Sequence, residues 1–193
     1  MKIKWQGWAL AANALLLAFG MARAAPTAEM LSDTCAGCHG TYGNSAGTTM
    51  PTLASHSKQS LVDAMKKFKS GERPGTIMGR IAKGYGDADF DAMGDFFAGQ
   101  KFYAAKQPFD KKQAARGAEL HSSFCARCHI EDGKEGKDTS PVIAGQWLDY
   151  LKIEMDQYAS GKRKMSDEKK EKMQPLSATD LEAILHFYAS VTR

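Results

Sequence analysis

Two short motifs of the same form give the sequence its most distinctive chemistry. One reads Cys35-Ala36-Gly37-Cys38-His39 and the other reads Cys125-Ala126-Arg127-Cys128-His129. In such a C-x-x-C-H motif, two thiols one helical turn apart can reach the two vinyl groups on one edge of a porphyrin, and the adjacent imidazole can bind the iron. The motifs therefore predict two covalently bound haem c groups. The predicted thioether bonds lie at Cys35, Cys38, Cys125 and Cys128, and the predicted proximal ligands are His39 and His129.

Other uses of four cysteines fit the pattern less well. Disulfides are common in exported proteins, and four thiolates can hold zinc. A histidine follows each cysteine pair at once, and a zinc site built from the four thiolates would leave both histidines without a role. The two motifs also use every cysteine of the chain. This arrangement favours haem attachment.

The chain is internally duplicated around these motifs. The same offset of 90 residues relates Pro51 to Pro141, Ala54 to Ala144, and several other identical pairs. A half of this size buries too little apolar surface to be stable alone, and a covalent porphyrin would supply the missing core. We therefore predict an all-α fold of two tandem cytochrome c-like haem domains, residues 25–104 and 105–193.

The elements that must position the motifs are predicted to be helices. Thr27 is a candidate cap for a helix that runs into Cys35, and Ser177 with Asp180 resembles a capping box at the start of the last helix. Further helical patterns cover 58–69, 87–99, 112–124 and 146–160, with loops rich in Gly and Pro at 40–51 and 133–145. The linker is predicted at 104–110.

The N-terminal segment has the composition of an export signal. A basic start precedes an apolar run from Trp8 to Phe19, and Ala22 and Ala24 suit a signal peptidase. We predict a signal peptide at residues 1–24, a periplasmic mature protein and no membrane span after cleavage; a retained anchor is the weaker alternative. The segment holds three basic residues and no acid, so the 26 basic and 22 acidic residues of the whole chain become 23 and 22. A net charge of +1 argues against nucleic-acid binding.

The distal ligands are sought among ten methionines, because a thioether closes the iron to other ligands and favours electron transfer. Met78 lies in a loop-like stretch 39 residues after His39, which is enough chain to cross to the far face of a haem. In the second half, Met165 and Met173 are both candidates. The carbonyls of Pro51 and Pro141, each 12 residues after a motif histidine, are predicted to accept the histidine Nδ1–H.

Several segments resemble the dihaem cytochrome subunit of flavocytochrome c sulfide dehydrogenase. The most specific is Thr76-Ile77-Met78-Gly79-Arg80-Ile81-Ala82-Lys83-Gly84-Tyr85, and others are Phe68-Lys69-Ser70-Gly71-Glu72 and Ala144-Gly145-Gln146-Trp147. The resemblance covers essentially the whole mature chain. It implies His/Met ligation at both irons, with the second methionine in an Arg-x-Met segment, here Met165, and with Met173 as the alternative. A further methionine of the family is replaced here by Lys169.

The resemblance also implies a partner and a direction of electron flow. The small cytochrome subunit forms a heterodimer with a larger FAD-containing flavoprotein subunit that oxidises sulfide. Electrons then pass through the two haems to an external acceptor such as a soluble cytochrome c, and the first haem domain faces the flavin subunit. The chain itself would not be an enzyme, and it carries no G-x-G-x-x-G cluster for a flavin dinucleotide.

Two other functions remain open from the sequence. A free-standing dihaem carrier similar to cytochrome c4 would use the same haem chemistry without a flavoprotein. A dihaem peroxidase would need one open or labile haem, and the methionines at 78 and in 165–173 count against it.

Overall fold

The computed structural model describes residues 25–192, and the predicted signal peptide at 1–24 lies outside the described residues. This part of the chain is helical and contains no β-strand, as predicted. None of its helices has the length and apolar character that crossing a bilayer requires. The α-helices are α1 (Ala28–Asp33), α2 (Ala36–His39), α3 (Lys58–Ser70), α4 (Met78–Ile81), α5 (Asp87–Ala98), α6 (Lys111–Leu120), α7 (Leu148–Ala159), α8 (Asp167–Met173) and α9 (Ala178–Ser190).

The first half is built around the contact of α1 and α3 with α5. The Thr27 hydroxyl accepts the Met30 N–H at 3.2 Å, which confirms the predicted cap. Apolar side chains from these helices form one buried cluster, and Cys35 packs against its edge. The cluster is formed by Leu31, Val62, Ala82, Phe90, Met93 and Phe97.

The second half repeats this plan, since α6 packs on α9 as α1 packs on α5. A π-helical turn, His121–Cys125, continues α6 into the second motif. The predicted capping box is confirmed: the Ser177 N–H donates to Asp180 Oδ2 at 3.0 Å, and the Asp180 N–H donates to Ser177 Oγ at 3.1 Å. Leu151, Ile184, Leu185 and Tyr188 form the buried cluster, with Cys125 at its edge.

The two halves are joined by hydrogen bonds from two side chains of the second half to the backbone of the first half. Gln146 is 1% exposed, and its side chain bonds both backbone groups of Thr52 in the other half. Its Oε1 accepts the Thr52 N–H at 3.0 Å, and its Nε2 donates to the Thr52 carbonyl at 2.8 Å. The next residue, Trp147, donates its ring N–H to the Ser45 carbonyl at 2.9 Å. The second half is therefore anchored to the loop that follows the first motif.

Residues 101–110 connect the halves without helix. The segment leaves the first half beside Ser55, whose hydroxyl donates to the Gln100 carbonyl at 2.7 Å. It then crosses the second half where the Ala105 N–H donates to the Gly145 carbonyl at 2.8 Å. Gly145 has φ +74°, and a Cβ built on it would lie 2.7 Å from the Ala104 Cβ. The predicted linker at 104–110 lies in this segment; the domain boundary between 104 and 105 stays a prediction.

Candidate haem sites

The first motif places its three reactive side chains on one turn of chain. Cys35 caps α2, while Cys38 and His39 lie within it. The ring of His39 is 6% exposed, and its Nδ1 lies 2.8 Å from the carbonyl oxygen of Pro51, as the spacing predicts. This contact fixes the ring and leaves Nε2 as the nitrogen that can bind a metal. Burial lowers the pKa of His39, while the Pro51 carbonyl opposes that effect, so the ring is neutral at pH 7.

The second motif has the same order of residues but a different histidine environment. The Nδ1 of His129 is buried and has no hydrogen-bond partner within residues 25–192. The prediction that the Pro141 carbonyl accepts this N–H is therefore wrong. In the first half, the backbone N–H of Thr52, the residue after Pro51, donates to the buried side chain of Gln146. The corresponding residue in the second half is Val142.

Two polar side chains, His121 and Tyr188, lie beside the second motif, at positions that are apolar in the first half. The Tyr188 hydroxyl lies 2.9 Å from His121 Nδ1. By the repeat, the corresponding first-half residues are Leu31 and Phe97. Burial raises the pKa of Cys125, and burial raises the pKa of Tyr188 well above its ordinary value. Sequence reasoning missed this pair, although the exchange of Leu for His and of Phe for Tyr between the repeats was its signal.

The segment that carries Met78 is tied to the first motif. Met78 is half-buried at the start of α4. A few residues later, the Tyr85 hydroxyl lies 3.0 Å from the hydroxyl of Thr34, the residue before Cys35. The Lys69 ammonium donates to the Tyr85 carbonyl at 2.6 Å, which fixes the end of this segment against α3. The chain therefore returns past the haem motif, as a distal ligand loop must.

The second-half candidates lie on either side of α8. Met165 is half-buried just before the N-cap Ser166, and Met173 is half-buried at the last residue of the helix. The described apolar cluster around Cys125 contains neither of them. Between them lies Lys169, which is half-buried. Burial, helped by the ammonium of Lys169, lowers the pKa of His129 to about 4.

The donor set of each half fits a haem c group. All four cysteines are free thiols; Cys35 and Cys125 face the apolar clusters, while Cys38 and Cys128 are exposed. Each motif ends in a largely buried, neutral imidazole adjoining that apolar surface. The buried His129 Nδ1 without a partner marks the second site as one whose polar groups are not satisfied by protein alone.

Comparisons with known proteins point the same way. The family model named Cytochrome c matches residues 114–192. The cytochrome subunit of sulfide dehydrogenase from Chlorobaculum tepidum is 42% identical over 69 residues, which make up 36% of this chain and 62% of that protein. The thiosulfate dehydrogenase electron acceptor of Stutzerimonas stutzeri is 29% identical over 95% of this chain and 94% of its own length. Cytochrome c-554(548) of Halomonas halodenitrificans is 30% identical over 86% of its length and 35% of this chain.

The fold has a solved counterpart. The structure of reduced recombinant cytochrome c4 from Pseudomonas stutzeri superposes with a TM-score of 0.72 at 23% identity, covering 86% of this chain and all of that one. This chain belongs to the cytochrome c family. It has two tandem cytochrome c domains, carries two covalently bound haem c groups, and is an electron-transfer protein.

Proposed function

We propose that this chain is the dihaem electron-transfer subunit of a periplasmic sulfide dehydrogenase, bound to an FAD-containing flavoprotein subunit. Sulfide gives two electrons to the flavin of the partner, and each half of this chain then takes one. A soluble acceptor such as a cytochrome c receives them. The observation that carries the proposal is the 42% identity with the cytochrome subunit of sulfide dehydrogenase. The distinctive 76–85 segment of the sequence supports it.

The proposed roles of the site residues follow the two motifs. Cys35, Cys38, Cys125 and Cys128 form the thioether bonds, and His39 and His129 are the proximal ligands. Met78 is the proposed distal ligand of the first haem, because its segment is tied to the first motif through Tyr85. For the second haem, Met165 and the alternative Met173 stay predictions from the sequence.

A second candidate function uses a different donor. The thiosulfate dehydrogenase electron acceptor of Stutzerimonas stutzeri aligns with nearly the whole of this chain, at 29% identity. In that case the chain would take electrons from a thiosulfate-oxidising partner rather than from a flavoprotein. Both candidates leave oxidation of the sulfur compound to another polypeptide.

Purification of the native complex distinguishes the candidates. Mass and absorption spectra of the complex would count haems, detect a flavin and weigh the partner together. We expect two haems on this chain, one flavin on a larger subunit, and haem reduction by sulfide only when that subunit is present. A complex without flavin that is reduced by thiosulfate would favour the second candidate. Reduction by sulfide at the same rate without any partner would refute both.

A further inference from the structure

The offset between corresponding residues of the two domains changes from 90 to 91 in the part that follows α3 and α7. Gly71 is the C-cap of α3 and Gly161 follows the C-cap of α7; the two glycines are 90 residues apart, and both have positive φ. Their N–H groups donate to the carbonyls of Phe68 and Tyr158, which are also 90 residues apart. The N-caps of the last helices, Gly86 and Ser177, are 91 residues apart. One extra residue therefore lies between Gly161 and Ser177.

This extra residue decides which side chain matches Met78. At the first offset the match is Glu168, and at the second it is Lys169. Glu168 is exposed, whereas Lys169 is half-buried. The Lys169 Nζ lies 3.5 Å from the centre of the Tyr158 ring. Lys169 is thus the residue that turns inward at the position of the first distal ligand.

The lysine lies beside the second motif. Helix α8 packs against the π-helical turn that ends at Cys125, and the positive charge of Lys169 acts to lower the pKa of both Cys125 and His129. The Arg163 guanidinium carbon lies 4.6 Å from the centre of the same Tyr158 ring, so two cations contact one aromatic ring. A second half-buried cation beside Arg163 is unfavourable, and a neutral amine bound to a metal would remove that charge.

The two methionines do not match the register. Met165 corresponds to Gly75, three residues before Met78, where a Cβ would meet the Phe68 ring at 2.6 Å. Met173 corresponds to residue 82 or 83, beyond α4. Neither position in the first half supplies a side chain to a haem in the proposed arrangement.

We infer that the Lys169 amine, rather than a methionine, is the distal ligand of the second haem. The inference rests on the proposed haem sites and makes the two halves chemically different. On binding, the ammonium releases one proton to solvent and the nitrogen lone pair forms the bond to iron; no electron is transferred. Because a thioether raises the reduction potential and an amine does not, the half that contains Met78 has the higher potential. The first electron therefore resides in the first half.

Near-infrared magnetic circular dichroism of the oxidised holoprotein tests this assignment. The thioether-to-iron charge-transfer band reports Met ligation, and a haem assay normalises its intensity per protein. We expect Lys169→Met to double the band, since both haems would then carry a thioether. Met165→Leu and Met173→Leu leave the band unchanged, and Met78→Leu removes it. Lys172→Met, the same change at an exposed site of α8, is the matched control and leaves the band unchanged.

The intensity of the band in the wild-type protein gives a second test of the ligand, because it counts the thioether-ligated haems. A band of one thioether per two haems supports the amine, together with a second ligand set of two nitrogens in electron paramagnetic resonance. A band of two thioethers, halved by Met165→Leu or Met173→Leu, overturns the inference while leaving the dihaem function intact. A holoprotein without two haems would instead count against the proposed haem sites.

Discussion

The side chain of Gln146 offers the sharpest test of how the two halves hold together. In Gln146→Ala the backbone N–H of Thr52, which is 2% exposed, loses its acceptor at 3.0 Å. The Thr52 carbonyl loses the amide at 2.8 Å but keeps the ring of His56 at 3.1 Å. A buried donor without a partner costs about 1–3 kcal/mol, and the lost methylene adds about 0.8 kcal/mol. We expect a loss of about 3 kcal/mol, roughly a hundredfold in the unfolding equilibrium.

Urea unfolding of the haem-loaded protein, followed by far-ultraviolet circular dichroism, measures this loss as a shift of the midpoint at constant slope. Gln174→Ala is the control, because Gln174 is exposed at the end of α8 and its loss should change stability by less than about 0.5 kcal/mol. A loss of less than about 1 kcal/mol in Gln146→Ala would show that the two hydrogen bonds between Gln146 and Thr52 contribute little to stability.

Two further changes probe the second half. Gly117→Ala would place a Cβ 2.1 Å from a carbonyl oxygen of α9, and we expect this overpacking to lower the stability by about 3 kcal/mol in thermal unfolding. Gly84→Ala is the control, because its Cβ would meet no atom within 4 Å and should leave the stability nearly unchanged. Hydrogen bonds from Ser177 and Arg116 lower the pKa of Asp180 from 3.8 to about 2. Its stabilisation is therefore complete above pH 3.8 and fades as pH falls towards 2, so Asp180→Asn should be less stable at pH 7 and less sensitive to acid between pH 4 and 2. An unchanged acid profile, or a Gly117→Ala protein as stable as its control, would contradict these assignments.

Much of the fold could be predicted because its signals are local. The cap at Thr27, the capping box at Ser177 and the apolar spacing along α3 and α7 depend on neighbouring residues only. The contact of His39 with Pro51 was also predicted, but the same 12-residue spacing gave no contact between His129 and Pro141, so spacing alone does not determine it.

The rest depends on contacts that no local pattern contains. Composition does not show which residue of the charged run around α8 turns inward; in the structure Lys169 is half-buried and Glu168 is exposed. The 90-residue offset of the motifs does not hold throughout either, because one added residue between Gly161 and Ser177 shifts every later match. The Nδ1 of His39 contacts the Pro51 carbonyl, whereas the buried Nδ1 of His129 has no hydrogen-bond partner among the described residues, and the sequence around the two motifs does not show this difference.

The connecting chain crosses Gly145 so closely that corresponding positions in the two repeats do not accept the same side chains. Corresponding positions in two identical copies have the same steric surroundings at first. A tandem chain, however, has one connecting segment, and it lies in close contact with Gly145. Ser55 tolerates a side chain at positive φ, while its counterpart has Ala104 where a side chain would be. Substitutions at the two paired positions therefore meet unequal steric constraint, since a side chain at Gly145 would displace the connecting chain, whereas Ser55 already carries one.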